Sequence, residues 1–145
     1  MKFKFAFLAF LILVVVTFGV WWFSKSNQPE RSSLPSVLGP QTNSEGEVTV
    51  LVAPINISTF SSSWDFRVTM DTHSVELDDD LLASAKLIVD GRDILTPFAW
   101  EGPAEGGHHR SGILKFNSVN PFPKTIEILL QGVGDGSERV FTWEL

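Results

Sequence analysis

The run from Phe5 to Phe23 contains no charged residue, and Thr17 is its only polar side chain. As a helix its nineteen residues rise about 28 Å, close to the roughly 30 Å hydrocarbon thickness of a bilayer. A helix packed on a soluble core would show a polar face, and this run shows none. Residues 1–23 therefore read as an N-terminal transmembrane helix. Lys2 and Lys4 precede it, while Lys25 and Arg31 follow with Glu30 between them. That bias keeps the N-terminus in the cytoplasm and places the C-terminal part outside. Trp21 and Trp22 fall at the distal end, where indoles favour the headgroup region. The competing reading is a cleaved signal peptide, with Thr17-Phe18-Gly19 as the small-x-small site. Cleavage there would leave Val-Trp-Trp-Phe at the new N-terminus, an awkward product. A lipid-modified cysteine is excluded because the chain has no Cys.

Ser24 to Gly46 is rich in Ser, Pro, Asn, Gln and Gly. Such a composition cannot bury a core, so 24–46 reads as a flexible stalk. Residues 47–145 are left for one folded domain, which without disulfides must be held by its core alone. This domain carries seven basic and fifteen acidic residues, a net of −8. Nucleic acid and anionic surfaces are poor partners for it, whereas cations suit it.

Within the domain the apolar period is two. Val48, Val50 and Val52 alternate with Thr49, Leu51 and Ala53, and Phe66, Val68 and Met70 alternate with Asp65, Arg67, Thr69 and Asp71. Ala85, Leu87 and Val89 lead into Asp90-Gly91, a hairpin signal. A fourth strand is expected over 93–100, broken by Pro97 in the manner of an edge or bulge. The fifth runs over 110–116 with Leu114 and Phe116 inward, the sixth over 125–130, and the seventh over 139–145 with Phe141 and Trp143 inward. One helical turn is expected within 76–82, where Leu77, Leu81 and Leu82 could cap the core. Seven short strands with Gly, Pro and Asp turns describe an all-β fold, an immunoglobulin-like seven-stranded β-sandwich behind the transmembrane helix.

All three histidines fall in two segments at strand ends. One is Asp71-Thr72-His73-Ser74, followed by Glu76 and the run Asp78-Asp79-Asp80. The other is Trp100-Glu101-Gly102 followed by Gly106-Gly107-His108-His109-Arg110-Ser111-Gly112. Strand-end loops of a sandwich gather at two poles, so His73 can meet His108 and His109 if the loops share a pole. Neutral imidazoles suit Cu(II) and Zn(II), with Asp71, Glu76, Glu101 and Glu105 as carboxylates to complete a set. Adjacent residues on an extended strand diverge, so His108 and His109 can face one metal only in an irregular loop. The alternative is that these groups knit the loops together. His73 would then donate to a backbone carbonyl, and Arg110 would hold Asp71, Asp78, Asp79 or Asp80 in a bidentate pair. Thr72, Ser74 and Ser111 would satisfy turn amides.

The two segments resemble a pattern of small membrane-anchored bacterial proteins, in which a Thr-His-Ser segment precedes Gly-Gly-His-His-Arg-Ser-Gly in one Ig-like domain. The resemblance covers the domain but not the anchor or stalk. It implies a fold and an address, and no activity. The sandwich is also similar to periplasmic copper-binding sandwiches, in architecture and address alone.

Asp78-Asp79-Asp80 lacks the alternating layout of a calcium loop. His73, Ser74 and Asp71 name the residue types of a hydrolase triad, but strand neighbours diverge and no nucleophile elbow is present. An enzyme is therefore not expected. The expected function is that of an extracytoplasmic Ig-like domain of structural or interaction type, meeting another extracytoplasmic protein. A Cu/Zn-binding module built on the histidines is the alternative. If the apolar run is a retained anchor, alkali-washed membranes should hold the full-length chain, with Leu145 accessible from outside the cytoplasm. Recovery of a soluble form starting near Val20 would contradict this.

Overall fold

The computed structural model describes residues 38–134 and 138–145. The expected anchor and most of the expected stalk lie outside them. Among the described residues no helix is long and apolar enough to cross a membrane.

The described residues form a β-sandwich of two antiparallel sheets. In chain order the strands are β1 (Gln41–Asn43), β2 (Val48–Pro54), β3 (Ser63–Thr72), β4 (Ala85–Val89), β5 (Asp93–Leu95), β6 (Ala99–Glu101), β7 (His109–Asn117), β8 (Thr125–Gln131) and β9 (Glu138–Glu144). A single helical turn, α1 (Leu81–Ser84), precedes β4. One sheet has the order β1-β2-β3-β7-β6 and the other β5-β4-β8-β9.

Period-two patterning explains the core. On β3 the even residues from Trp64 to Thr72 are buried and the odd ones face outward, and β9 alternates in the same way. The inward side chains of both sheets form one cluster that includes Trp64, Phe66, Phe116, Phe141 and Trp143. Phe66 joins the two layers. Its ring meets Phe116 edge-on at 5.7 Å and Trp143 of the opposite sheet at 6.0 Å.

Two expectations need correction. The single strand expected over 93–100 is two strands in different sheets. Residues 93–95 pair with β4, whereas 99–101 pair with β7. Proline supplies no ladder amide, and the strands on either side of Pro97 are both edge strands, as expected for a proline-broken segment, but the chain changes sheets there instead of bulging within one. The domain also begins earlier than Glu47. Gln41–Asn43, within the stretch read as stalk, pairs with β2. The Gln41 side-chain amide bonds the main chain of Thr142 on β9 in both senses, and the Trp143 indole donates to the Gly39 carbonyl at 2.8 Å. An edge strand held by main-chain and amide bonds needs no apolar side chains, so composition could not reveal it.

The Asp90-Gly91 signal forms the β4–β5 hairpin, with φ of 49° and 66° at its central residues. Positive φ at both positions is what a type I′ turn requires. Asp90 Oδ1 accepts the amides of Lys124 at 2.9 Å and Thr125 at 3.0 Å. Those donors, Thr125 first, hold its carboxyl below the usual carboxylate range.

The strands define two poles. The first gathers residues 44–47, 73–80, 102–108 and 132–134, and the second gathers 55–62, 90–92 and 118–124. Phe66 links the sheets, so Phe66→Ala should cost about 3–5 kcal/mol, the usual price of deleting a core aromatic. Urea unfolding of the full-length chain measures it, and an unchanged midpoint would show that the two layers do not depend on this contact.

Candidate functional site

The loops expected to carry the site do share a pole. β3 and β7 pair along their length, bringing Asp71 opposite His109. One step further the Thr72 amide donates to the His108 carbonyl at 3.0 Å. The next loops are stitched by main-chain bonds, from Leu77 N to Gly107 O at 2.9 Å and from Gly106 N to Leu77 O at 2.8 Å. Gly106 and Gly107 have φ of 109° and 77°, a path that side chains with a Cβ disfavour. The Gly107 amide also donates to Glu76 Oε2 at 2.7 Å. Thr72 Oγ1 accepts the amides of Ser74 and Val75, as expected for a turn-forming hydroxyl. Ser111 instead pairs with Thr69 Oγ1 across the strands at 2.8 Å.

The imidazoles do not converge on a common carboxylate. His109 Nδ1 contacts Asp71 Oδ1 on the outer face of the β3–β7 pair. His108 Nε2 lies 3.4 Å from Glu76 Oε1. His73 is exposed. Glu101, on the edge strand β6, is engaged by Lys115 Nζ of the neighbouring strand β7 at 2.9 Å, a pairing that raises the pKa of the lysine. Glu105 is exposed in the 102–108 loop. Among the described residues no group of three or more His, Cys, Asp or Glu side chains is arranged to hold a metal ion.

Arg110 departs from expectation. It shares the inward parity of Leu114 and Phe116 and is buried. Its Nη1 donates to the main-chain carbonyls of Leu77 at 3.0 Å and Asp79 at 2.8 Å, not to the carboxylates of Asp78 or Asp80. The inward course puts the guanidinium beneath the 73–80 loop, where it meets backbone. The carboxylates have other work: Asp80 caps α1 through the Leu82 amide at 2.8 Å, Asp79 accepts the Gly134 amide at 2.8 Å, and Asp78 is exposed. Leu77 and Leu81 are buried beside this loop as anticipated, but Leu82 is 40% exposed.

Trp100 covers Arg110, with the guanidinium carbon 5.6 Å from its ring centroid, a distance suited to cation–π attraction. Its indole donates to the Pro103 carbonyl at 2.9 Å. Gly112 makes room for this ring. A Cβ there would fall 2.7 Å from Glu101 O, Gly102 Cα and the Trp100 ring. On the opposite sheet Arg139 is buried at the same pole, donating to Val133 O at 2.7 Å and Glu45 O at 2.9 Å. Sequence reasoning missed Arg139 and the Trp100–Gly112 stack. The signal for Arg139 was present, because it shares its parity with Phe141 and Trp143.

Chemically the first pole is a braced acidic surface. Glu45, Glu47, Glu76 and Glu105 are exposed on it with Asp78 and Asp80, and its described loop segments contain no Lys or Arg. No family model, curated protein or solved structure matches the chain.

Gly112→Ala should destabilise the chain by roughly 1–3 kcal/mol, as overpacking does, and should shift the Trp fluorescence as the indole is displaced. His109→Ala removes only an exposed pair and should change stability by less than about 1 kcal/mol. Equal effects in thermal unfolding would mean that the motif is not built around the Trp100 stack.

Proposed function

We propose that this chain is a membrane-anchored, extracytoplasmic, immunoglobulin-like domain of the protein-interaction type, which offers its acidic pole to a basic surface of another protein. The strand order supports the immunoglobulin-like assignment. Setting aside the short β1, the sheets read β2-β3-β7-β6 and β5-β4-β8-β9. That is the A-B-E-D arrangement facing C-F-G with one added edge strand. The Phe5–Phe23 run and the likeness of the Thr-His-Ser and Gly-Gly-His-His-Arg-Ser-Gly segments to membrane-anchored bacterial proteins support the address.

The observation that carries the interaction reading is the bracing of the acidic loops from below. Arg110, buried and bonded to the Leu77 and Asp79 carbonyls, holds the 73–80 loop in place. A surface ordered in advance loses little conformational freedom on binding. Its carboxylates steer a basic partner by long-range attraction. The Cu/Zn alternative has less support, because His108 and His109 turn to different carboxylates.

A photo-crosslinking residue at position 105 of the full-length chain, in native membranes, should yield an adduct of defined mass. The same residue at Val140, exposed on the outer face of β9, should not. The adduct should weaken as salt screens the charges and disappear when Glu76, Asp78 and Asp80 are replaced by Gln and Asn. Absence of any adduct, together with stoichiometric Cu(II) or Zn(II) binding that depends on the histidines, would overturn this reading in favour of the metal module.

A further inference from the structure

The second pole differs in chemistry from the first. Phe60 at the tip of the 55–62 loop is 98% exposed, and Ile55 and Phe122 are 51% and 38% exposed. The loops that carry these apolar groups are tied to the core. The buried Trp64 donates its indole N–H to the Ser58 carbonyl at 3.1 Å, and its ring meets Phe122 edge-on at 5.8 Å. One core residue thus braces both loops of the pole, and the Ser118 hydroxyl ties them again by donating to the Ser62 carbonyl. Exposed apolar side chains gathered at one end of a small domain, on loops tied to the core, mark a surface that meets something else.

Charge and chain path indicate what it meets. Within loops 55–62, 90–92 and 118–124 the charged residues are Asp90, Arg92 and Lys124. The Asp90 carboxylate is occupied by the Lys124 and Thr125 amides. Asp65, Asp93 and Glu144 stand on the flanking strand ends, but the tips themselves carry Ser, Thr, Asn, Ile and Phe. An anionic lipid surface repels the acidic first pole and tolerates this one. The described chain also begins here: Leu38 lines a shallow groove with Pro54, Ile55 and Ile57. Residues 24–37 connect Leu38 to the apolar run ending at Phe23. Fourteen residues span at most about 50 Å when extended, so the linker leaves the second pole within reach of a bilayer.

We infer that the second pole is a lipid-contacting face, with Phe60, Ile55 and Phe122 entering the headgroup region and the acidic pole directed away from the membrane. This inference rests on the membrane-anchored reading. It adds that the domain lies on the bilayer in one orientation and is not freely tethered.

The chain has no cysteine, so single sites can be labelled in the full-length protein. Thr59→Cys and Asn120→Cys, which leave the apolar groups intact, and Ser74→Cys at the acidic pole would each carry an environment-sensitive fluorophore. The protein would be reconstituted into vesicles containing phosphatidylglycerol. Labels at 59 and 120 should shift to the blue, resist aqueous iodide and be quenched by spin-labelled lipid headgroups, while the label at 74 does none of these. Replacing Phe60 and Ile55 by Ser should return the label at 59 to water without unfolding the sandwich. Vesicle flotation separates the two levels of failure. A chain that does not float with lipid overturns the anchor reading and this inference with it. A chain that floats while labels 59 and 74 remain equally open to iodide overturns the orientation alone. Shielding in native membranes that vanishes in lipid vesicles also overturns it, and assigns the face to a protein partner.

Discussion

The first pole depends on a buried positive charge that is solvated by backbone. Arg110 enters the core because β7 alternates strictly, and once inside, its guanidinium needs acceptors. It takes the carbonyls of Leu77 and Asp79, so the loop supplying them closes over the end of the sandwich. Trp100 shields the cation from one side, and Gly112 leaves the space that the ring requires. Arg139 repeats the device from the other sheet by binding Val133 and Glu45 carbonyls. Each sheet thus contributes one arginine to the same end, and each arginine orders a loop that carries acidic side chains outward.

This construction accounts for the unusual second histidine segment without assigning chemistry to its imidazoles. The glycines let the loop turn back to exchange bonds with Leu77, Arg110 plugs the core, and Gly112 receives the indole. His108 and His109 are left outside, each beside its own carboxylate. A motif dense in polar residues and glycine can be a device of folding whose product is a shaped surface. Here the surface is acidic and exposed, as the interaction reading requires.

The two ends of the domain differ in chemistry. One is acidic and pinned by guanidinium–carbonyl bonds, and the other is apolar and pinned by Trp64. If the chain lies on a membrane through the second pole, the first is the part offered to a partner. On the proposed reading the polarity of the sandwich sets its orientation, and the Phe5–Phe23 run supplies the anchor.

Local pattern was enough to determine the inward faces of β2, β3, β4, β7 and β9, because a residue's side of a strand follows from period two. It also located the Asp90-Gly91 hairpin, because an I′ turn restricts which residues can occupy it. The same parity would have placed Arg110 and Arg139 inside, had charge not argued for the surface. Other features required the folded chain. Pro97 marks a break, but its transfer of the chain to the other sheet depends on two different pairings, a local hairpin with β4 before it and a pairing with the later strand β7 after it. The edge strand at Gln41 has no apolar signature, since main-chain and amide bonds hold it. The partners of Arg110, and the gathering of Ile55, Phe60 and Phe122 at one pole, come from loops that meet only when two sheets stack. Pattern along a chain records which face each residue takes, and only packing records which faces come together.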